Sequence, residues 1–137
     1  MTRLLAMFVV FALAGCAAPV DRTACSLPEQ KLMVEAQLFF GRNIEGRAPL
    51  SDAEWSDFVS STITGIFPEG FTVTDGEGQW LNPQTHRSVH EQSKIVTVVE
   101  DNSVVLKSKL AAVMNSYRTR YNQQSVGVVT NSVCAAF

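Results

Sequence analysis

The sequence predicts an α+β fold in which a four-stranded antiparallel sheet carries two helices on one face. Three observations lead there. Four segments show the apolar pattern of strands and two that of helices, and they occur in the order strand, helix, strand, strand, helix, strand. Both helical segments open on residues suited to cap a helix. Finally, two cysteines, Cys25 and Cys134, flank the whole set.

The first strand is expected over Lys31 to Phe40. Leu32, Val34, Ala36, Leu38 and Phe40 recur at period two and make one wholly apolar face, while Met33, Glu35, Gln37 and Phe39 make the other. Gly41 to Pro49 reads as a loop. Ser51-Asp52-Ala53-Glu54 is a capping box: the serine hydroxyl is placed for the amide three residues on, and the glutamate for reaching back. Trp55, Phe58, Val59, Thr62, Ile63 and Ile66 then follow the spacing of a buried helical stripe, with Asp52, Glu54 and Asp57 in the early turns where the helix dipole favours acids. Gly65 and Pro68 end that helix.

Residues 67–94 read as a long hairpin. A Pro-Glu-Gly turn leads into a strand starting at Phe71, Asn82-Pro83 makes the reversal, and the return carries Glu91, Ser93 and Lys94. Isolated glycines in a strand pattern often mark bulges, so a bend is expected at Gly76 to Gly78. Pairing Leu81 with about Arg87 puts Asp75 opposite about Ser93. Ile95 to Val99 is apolar on both faces, as for an interior strand. Asp101, Asn102 and Ser103 are cap candidates for the second helix. Its stripe is Leu106, Leu110, Val113, Met114, Tyr117 and Tyr121, and Arg118 and Arg120 favour its C-terminal end. The last strand spans about Ser125 to Cys134.

Short, right-handed connections make the βαββαβ ferredoxin-like sandwich the natural solution for this order. In it the first and last strands are antiparallel neighbours, so Cys25 and Cys134 come together. A disulfide in an exported chain is the expected pairing; two separate buried thiols are the alternative.

Residues 1–15 are a different object. Arg3 precedes an apolar stretch, Leu4 to Ala14, too short to span a bilayer but suited to a signal peptide. Leu13-Ala14-Gly15-Cys16 follows and resembles the lipobox of bacterial lipoproteins. That resemblance implies cleavage before Cys16, lipidation (palmitate among the acyl groups) of its thiol, and a tether over residues 16–30 leading to one domain over 31–137. Ala17 after the cysteine implies the outer membrane, facing the periplasm. A secretory leader cut near Ala17 or Ala18 is the alternative.

The mature domain resembles a bacterial family of small exported proteins known only as a domain of unknown function. The resemblance rests on Phe39-Phe40-Gly41-Arg42, on Trp55 with Phe58, and on Phe67-Pro68-Glu69-Gly70 running through Thr72-Val73 to Asp75-Gly76. Gln79-Trp80 and Glu91 with Ser93-Lys94 complete it. Where the family shows Pro-Arg before Phe-Pro and an arginine before Glu-x-Ser-Lys, this chain has Gly65-Ile66 and His90, which removes two arginines from any anion site.

A net charge of −2 and a pI near 5.6 leave no basic surplus for nucleic acid. No cofactor is expected, and His86 with His90 lacks a third ligand of matching type, so no metal is expected either. Ser93 lacks the glycine-framed elbow of a hydrolase nucleophile. The candidate ligand or partner site comprises Phe39, Arg42, Asp75, Gln79, Trp80, Glu91, Ser93 and Lys94. Trp80 and Phe39 would line a pocket on the uncovered sheet face, with Arg42, Glu35 and Gln37 as its polar groups. Structural packing of Trp80 and a surface ion pair between Asp75 and Lys94 are the plainer alternatives.

The leading expectation is a lipid-anchored, non-enzymatic envelope protein that uses its open sheet face and the 67–94 hairpin to bind a partner, a second copy included, or a small ligand. The alternative is a small dimeric enzyme of monooxygenase or isomerase type, with Arg42, Asp75, Gln79 and Lys94 in one closed pocket.

Overall fold

The computed structural model describes residues 25–137, so the leader and Cys16 lie outside the described residues. Strands β1 (Lys31–Gly41), β2 (Thr72–Leu81), β3 (Ser88–Glu100) and β4 (Gly127–Ala135) form one sheet in the order β2-β3-β1-β4, every pair antiparallel. Helix α1 begins at Asp52–Phe58, widens into a π-helical stretch at Val59–Ile63 and closes with an α turn at Thr64–Ile66; α2 spans Val104–Tyr121. This is the expected ferredoxin-like arrangement.

The capping box forms as read. Glu54 N–H donates to the Ser51 hydroxyl at 3.3 Å, and Ser51 N–H donates to the Glu54 carboxylate at 2.8 Å. The Ser51 N–H and, at 2.9 Å, the Ser51 hydroxyl both donate to the Glu54 carboxylate and hold it below its ordinary value. The widening that follows has a local cause in the Ser60-Ser61-Thr62 run. Hydroxyls of Ser60, Ser61 and Thr64 donate to the carbonyls of Asp57 and Val59, competing with the amides that would otherwise close α turns. At the second helix only Ser103 of the three cap candidates serves, accepting from Leu106 N–H at 3.0 Å.

The core lies between the sheet and the two helices. Ala36, Leu38 and Phe40 from β1 and Val96 and Val98 from β3 meet Trp55, Phe58 and Ile63 from α1 and Leu106, Val113 and Tyr117 from α2. Phe40, Trp55, Phe58, Tyr117 and Tyr121 pack edge to face or tilted, with the Phe40 and Tyr117 centroids 4.8 Å apart. Each such buried ring contributes about 1.5–3 kcal/mol. Tyr117 is wholly buried, and its hydroxyl donates to the Gly41 carbonyl at 2.9 Å, tying α2 to the end of β1. Burial pushes that hydroxyl well above its ordinary value.

Several expectations need correction. Leu32 is 51% exposed and Met33 only 6%, so the apolar face of β1 starts at Val34 and the opposite face buries its own methionine. Leu32 pairs with Cys134 at the sheet's end and is not among the residues of the core between sheet and helices. No bulge bends the hairpin: the pairing runs unbroken from Thr72↔Thr97 to Leu81↔Ser88. Gly76 and Gly78 make room instead, since a Cβ at Gly76 would lie 3.0 Å from the Ile95 Cδ1 and one at Gly78 3.5 Å from the Ser93 hydroxyl. The register is also one residue off the expected one. Leu81 faces Ser88 and Asp75 faces Lys94, because the turn over Asn82 to Arg87 closes with Asn82 N–H donating to Arg87 O at 2.9 Å. The last strand begins two residues later than expected, at Gly127.

Cys25 and Cys134 form the disulfide, with their Cα atoms 5.5 Å apart, and Gln30 Nε2 adds a 3.4 Å bond to the Cys134 carbonyl.

Candidate functional site

The sheet divides the candidate residues into two groups, because directly paired residues share a face and neighbours along a strand do not. Asp75, Gln79 and Lys94 lie on the helix-covered side, while Phe39, Trp80, Glu91 and Ser93 lie on the open side. Arg42 follows the end of β1 and turns to the helix side, so it does not join Phe39 and Trp80 as expected.

On the helix side, a cleft of about 430 Å³ opens between the first turn of α1 and the β2–β3 hairpin, lined by Arg42, Asp52, Asp75, Glu77, Gln92 and Lys94. Lys94 Nζ is 2.5 Å from Asp75 Oδ1 and 3.6 Å from Asp52 Oδ1, and Arg42 Nη1 is 3.0 Å from the same Asp52 oxygen. Arg42 further donates through Nε to the Leu50 carbonyl at 2.7 Å, which fixes the loop between β1 and α1. Both cations are only 13% exposed, whereas Asp52 and Asp75 are 82% and 78% exposed. Three of the four residues of the expected pocket therefore converge, with Asp52 as the bridge. Gln79 does not line the cleft, two pairs further along the strand, and Ser93 faces away from it. The sequence read Asp52 only as a helix-dipole acid; its link to Arg42 and Lys94 depends on how the β1–α1 loop folds back.

On the open side, Glu91 is the organising group. Its carboxylate accepts from Trp80 Nε1 at 2.8 Å and from Asn43 N–H at 3.1 Å, and it lies over Gly41, where an added Cβ would come within 2.5 Å of Oε2. Gly41 is thus glycine because the carboxylate takes the side-chain space. Asn43 is held in turn, donating through Nδ2 to His90 O at 3.1 Å. Gln37 donates to Glu35 at 3.3 Å on the same face. This network explains the resemblance motif: Gly41, Trp80 and Glu91 are one unit drawn from three strands. Phe39 lies two residues before Gly41 on this face, against Gly127, whose absent Cβ would touch it at 3.4 Å.

The larger cleft, about 670 Å³, lies at the other end of the molecule from Trp80. Its lining includes Met33, Phe71, Thr97, Val99 and Phe137, with Lys31 and Lys109 at its rim. Its volume falls within the range of small-molecule sites. No local pattern marks this cleft, which combines the start of β1, the end of β3 and the residues just before β2. Among the described residues no cluster of His, Cys, Asp or Glu could hold a metal ion, and no helix is long and apolar enough to cross a membrane. His86 and His90 fall at the turn and on β3.

Residues 35–137 match the model of a family described as a protein of unknown function, DUF3574. The chain belongs to that family. The DUF3574 match thus covers β2, β3, β4, both helices and β1 from Glu35 onward. No curated protein matches the sequence. Among solved structures, the DUF3574 fold is similar to a phage SAM lyase in complex with S-methyl-5'-thioadenosine, at 19% identity and a TM-score of 0.56, covering 75% of this chain and 90% of that one. The apo state of a phage SAM lyase gives 20% identity and a TM-score of 0.56 over 76% and 85% of the two chains. CutA from Synechococcus elongatus, in complex with Bis-Tris, matches at 7% identity and a TM-score of 0.47 over 76% and 83%. At these identities the likeness is one of fold.

Proposed function

We propose that this DUF3574 protein is a lipid-anchored cell-envelope protein, attached through Cys16 to the outer membrane and facing the periplasm, that binds a partner through its open sheet face and the 67–94 hairpin without catalysing a reaction. One observation carries the reading. Among the described residues helices cover one side of the sheet only, and the other side carries Phe39, Ile95, Val99 and Trp80 beside a cleft floored by Met33 and Val99. An apolar surface of this kind, edged by a few satisfied polar groups, is how binding faces are built.

The test uses the full chain purified in mild detergent, weighed by native mass spectrometry and light scattering. Bound material or a second copy is expected, and Val99→Glu, which sets a charge on the cleft floor, should release the bound material. A strictly monomeric, ligand-free chain would overturn the reading. The anchor is tested separately: Cys16→Ser should abolish palmitate incorporation and free the protein from the membrane fraction.

A second reading, a small dimeric enzyme, is favoured by the convergence of Arg42, Asp75 and Lys94. Two cations largely screened from water and paired with exposed carboxylates are an arrangement that can serve acid and base work. It predicts that Lys94→Met abolishes turnover of a substrate while leaving binding at the open face intact.

A further inference from the structure

The two edges of the sheet differ in a way that points to self-assembly. An edge strand presents unpaired N–H and C=O groups, and monomeric proteins blunt such edges with charge, proline, bulges or a covering element. The β2 edge is blunted. It carries Asp75 and Glu77, and a two-fold pairing of β2 with itself through Gly76 would set Asp75 of one copy against Glu77 of the other. Apart from the bridge to Cys25 and the Gln30 bond at Cys134, the β4 edge has none of these devices among the described residues. Gly127–Ala135, reading GVVTNSVCA, contains no charge and no proline, pairs with β1 in unbroken register, and is mostly exposed, Val128 and Val129 included. Among the described residues no strand pairs with its outer side.

The sequence of this strand is also a chemical palindrome about Asn131. Thr130 mirrors Ser132, Val129 mirrors Val133, Val128 mirrors Cys134, and Gly127 mirrors Ala135. A two-fold axis perpendicular to a sheet pairs antiparallel edge strands so that one residue faces its own copy and each neighbour faces its mirror image. An axis at Asn131 therefore matches hydroxyl with hydroxyl and valine with valine at the inner positions, the half-cystine Cys134 with Val128, and small residue with small residue at the ends. Moving the axis by one residue, to Thr130, would set Val129 against Asn131 and Val128 against Ser132.

We propose that β4 pairs with β4 of a second copy about a two-fold axis at Asn131, giving a continuous eight-stranded sheet with all four helices on one side. The partner is this chain itself. Val129 and Val133 lie on the open face with Met33, Phe39 and Val99, so the pairing joins two open faces into one uninterrupted surface. The inference is independent of what that surface binds.

The test places single cysteines in the full chain in intact cells, read by non-reducing electrophoresis. Asn131→Cys faces its copy at a Cα separation of about 5 Å and should form a reducible dimer. Val129→Cys is offset from its copy by four residues, about 14 Å, and should not, while Val129→Cys with Val133→Cys together should link again. Equal yields from Asn131→Cys and Val129→Cys would overturn the proposal, as exchange with the native disulfide would produce them. Asn131→Lys is the second arm: it should give a folded monomer by light scattering with an unchanged circular dichroism spectrum. A dimer that survives Asn131→Lys but is lost in Val99→Glu would show pairing through the open face and would also overturn it.

Discussion

Replacing Gly41 by alanine probes the Gly41, Trp80 and Glu91 unit directly. The new Cβ would lie 2.5–2.6 Å from the Glu91 carboxylate, which must move away. Moving it breaks two charge-assisted bonds, from Trp80 Nε1 and from Asn43 N–H. Such bonds contribute about 1.5–3 kcal/mol each when fully desolvated, and here, half in water, about 1 kcal/mol each. Gly41→Ala should therefore cost about 2 kcal/mol, lowering the melting temperature by roughly 8 °C for a domain of this size. Glu91→Ala removes the obstacle as well as the bonds. On that background Gly41→Ala should be neutral, or stabilise by about 0.5 kcal/mol, because alanine restricts the unfolded chain more than glycine does. A double-mutant cycle by urea unfolding measures the coupling, expected at about 2 kcal/mol. An equal cost of Gly41→Ala in both backgrounds would refute the account, since strain in the β1 backbone would then be the cause.

Three further outcomes are expected. Replacing Cys25 and Cys134 together by serine opens a loop with a sequence separation of 109, worth up to about 4.7 kcal/mol in the chain-entropy model; a melting temperature within 5 °C of the parent would show that the bridge does not act this way. Tyr117 has its ionisation pushed up by burial, so its stability contribution is complete below the ordinary tyrosine pKa near 10 and is lost as pH rises above it, when only the unfolded chain ionises. The fall in stability between pH 10 and 12 should be shallower in Tyr117→Phe than in the parent. Ser51→Ala removes the hydroxyl half of the α1 cap, leaving the backbone N–H of residue 51 on Glu54, and should cost about 1 kcal/mol by chemical denaturation, with Ser51→Gly milder.

The order of elements, the sheet's class, the stripes of both helices and the disulfide were legible in the sequence because each rests on periodicity or on chain topology. The site was less so. Which residues share a face depends on register, and register was set by the turn at Asn82, where the Asn82 side chain accepts from Gln84 and Thr85 amides; one residue of slip exchanged Ser93 for Lys94 opposite Asp75. Glycine was misread for a related reason. Gly76 and Gly78 look like bulge signals in a single strand, and only the neighbouring strand, carrying Ile95 and Ser93, shows what space they vacate. Asp52 and Met33 acquire their roles from segments far away in sequence, so no local pattern could assign them.

The bridge at Cys25 also settles how the molecule stands. Cys25 is bolted to the end of β4, beside the start of β1 and the Lys31 to Asp101 ion pair, while the turn from Asn82 to Arg87 is at the opposite pole. Between them runs β3, Ser88–Glu100, whose length at about 3.4 Å per residue is roughly 40 Å. A load applied at Cys25 would be split between the rim strand β4 and the central strand β1, and the hairpin would project as a stiff mast from the opposite pole.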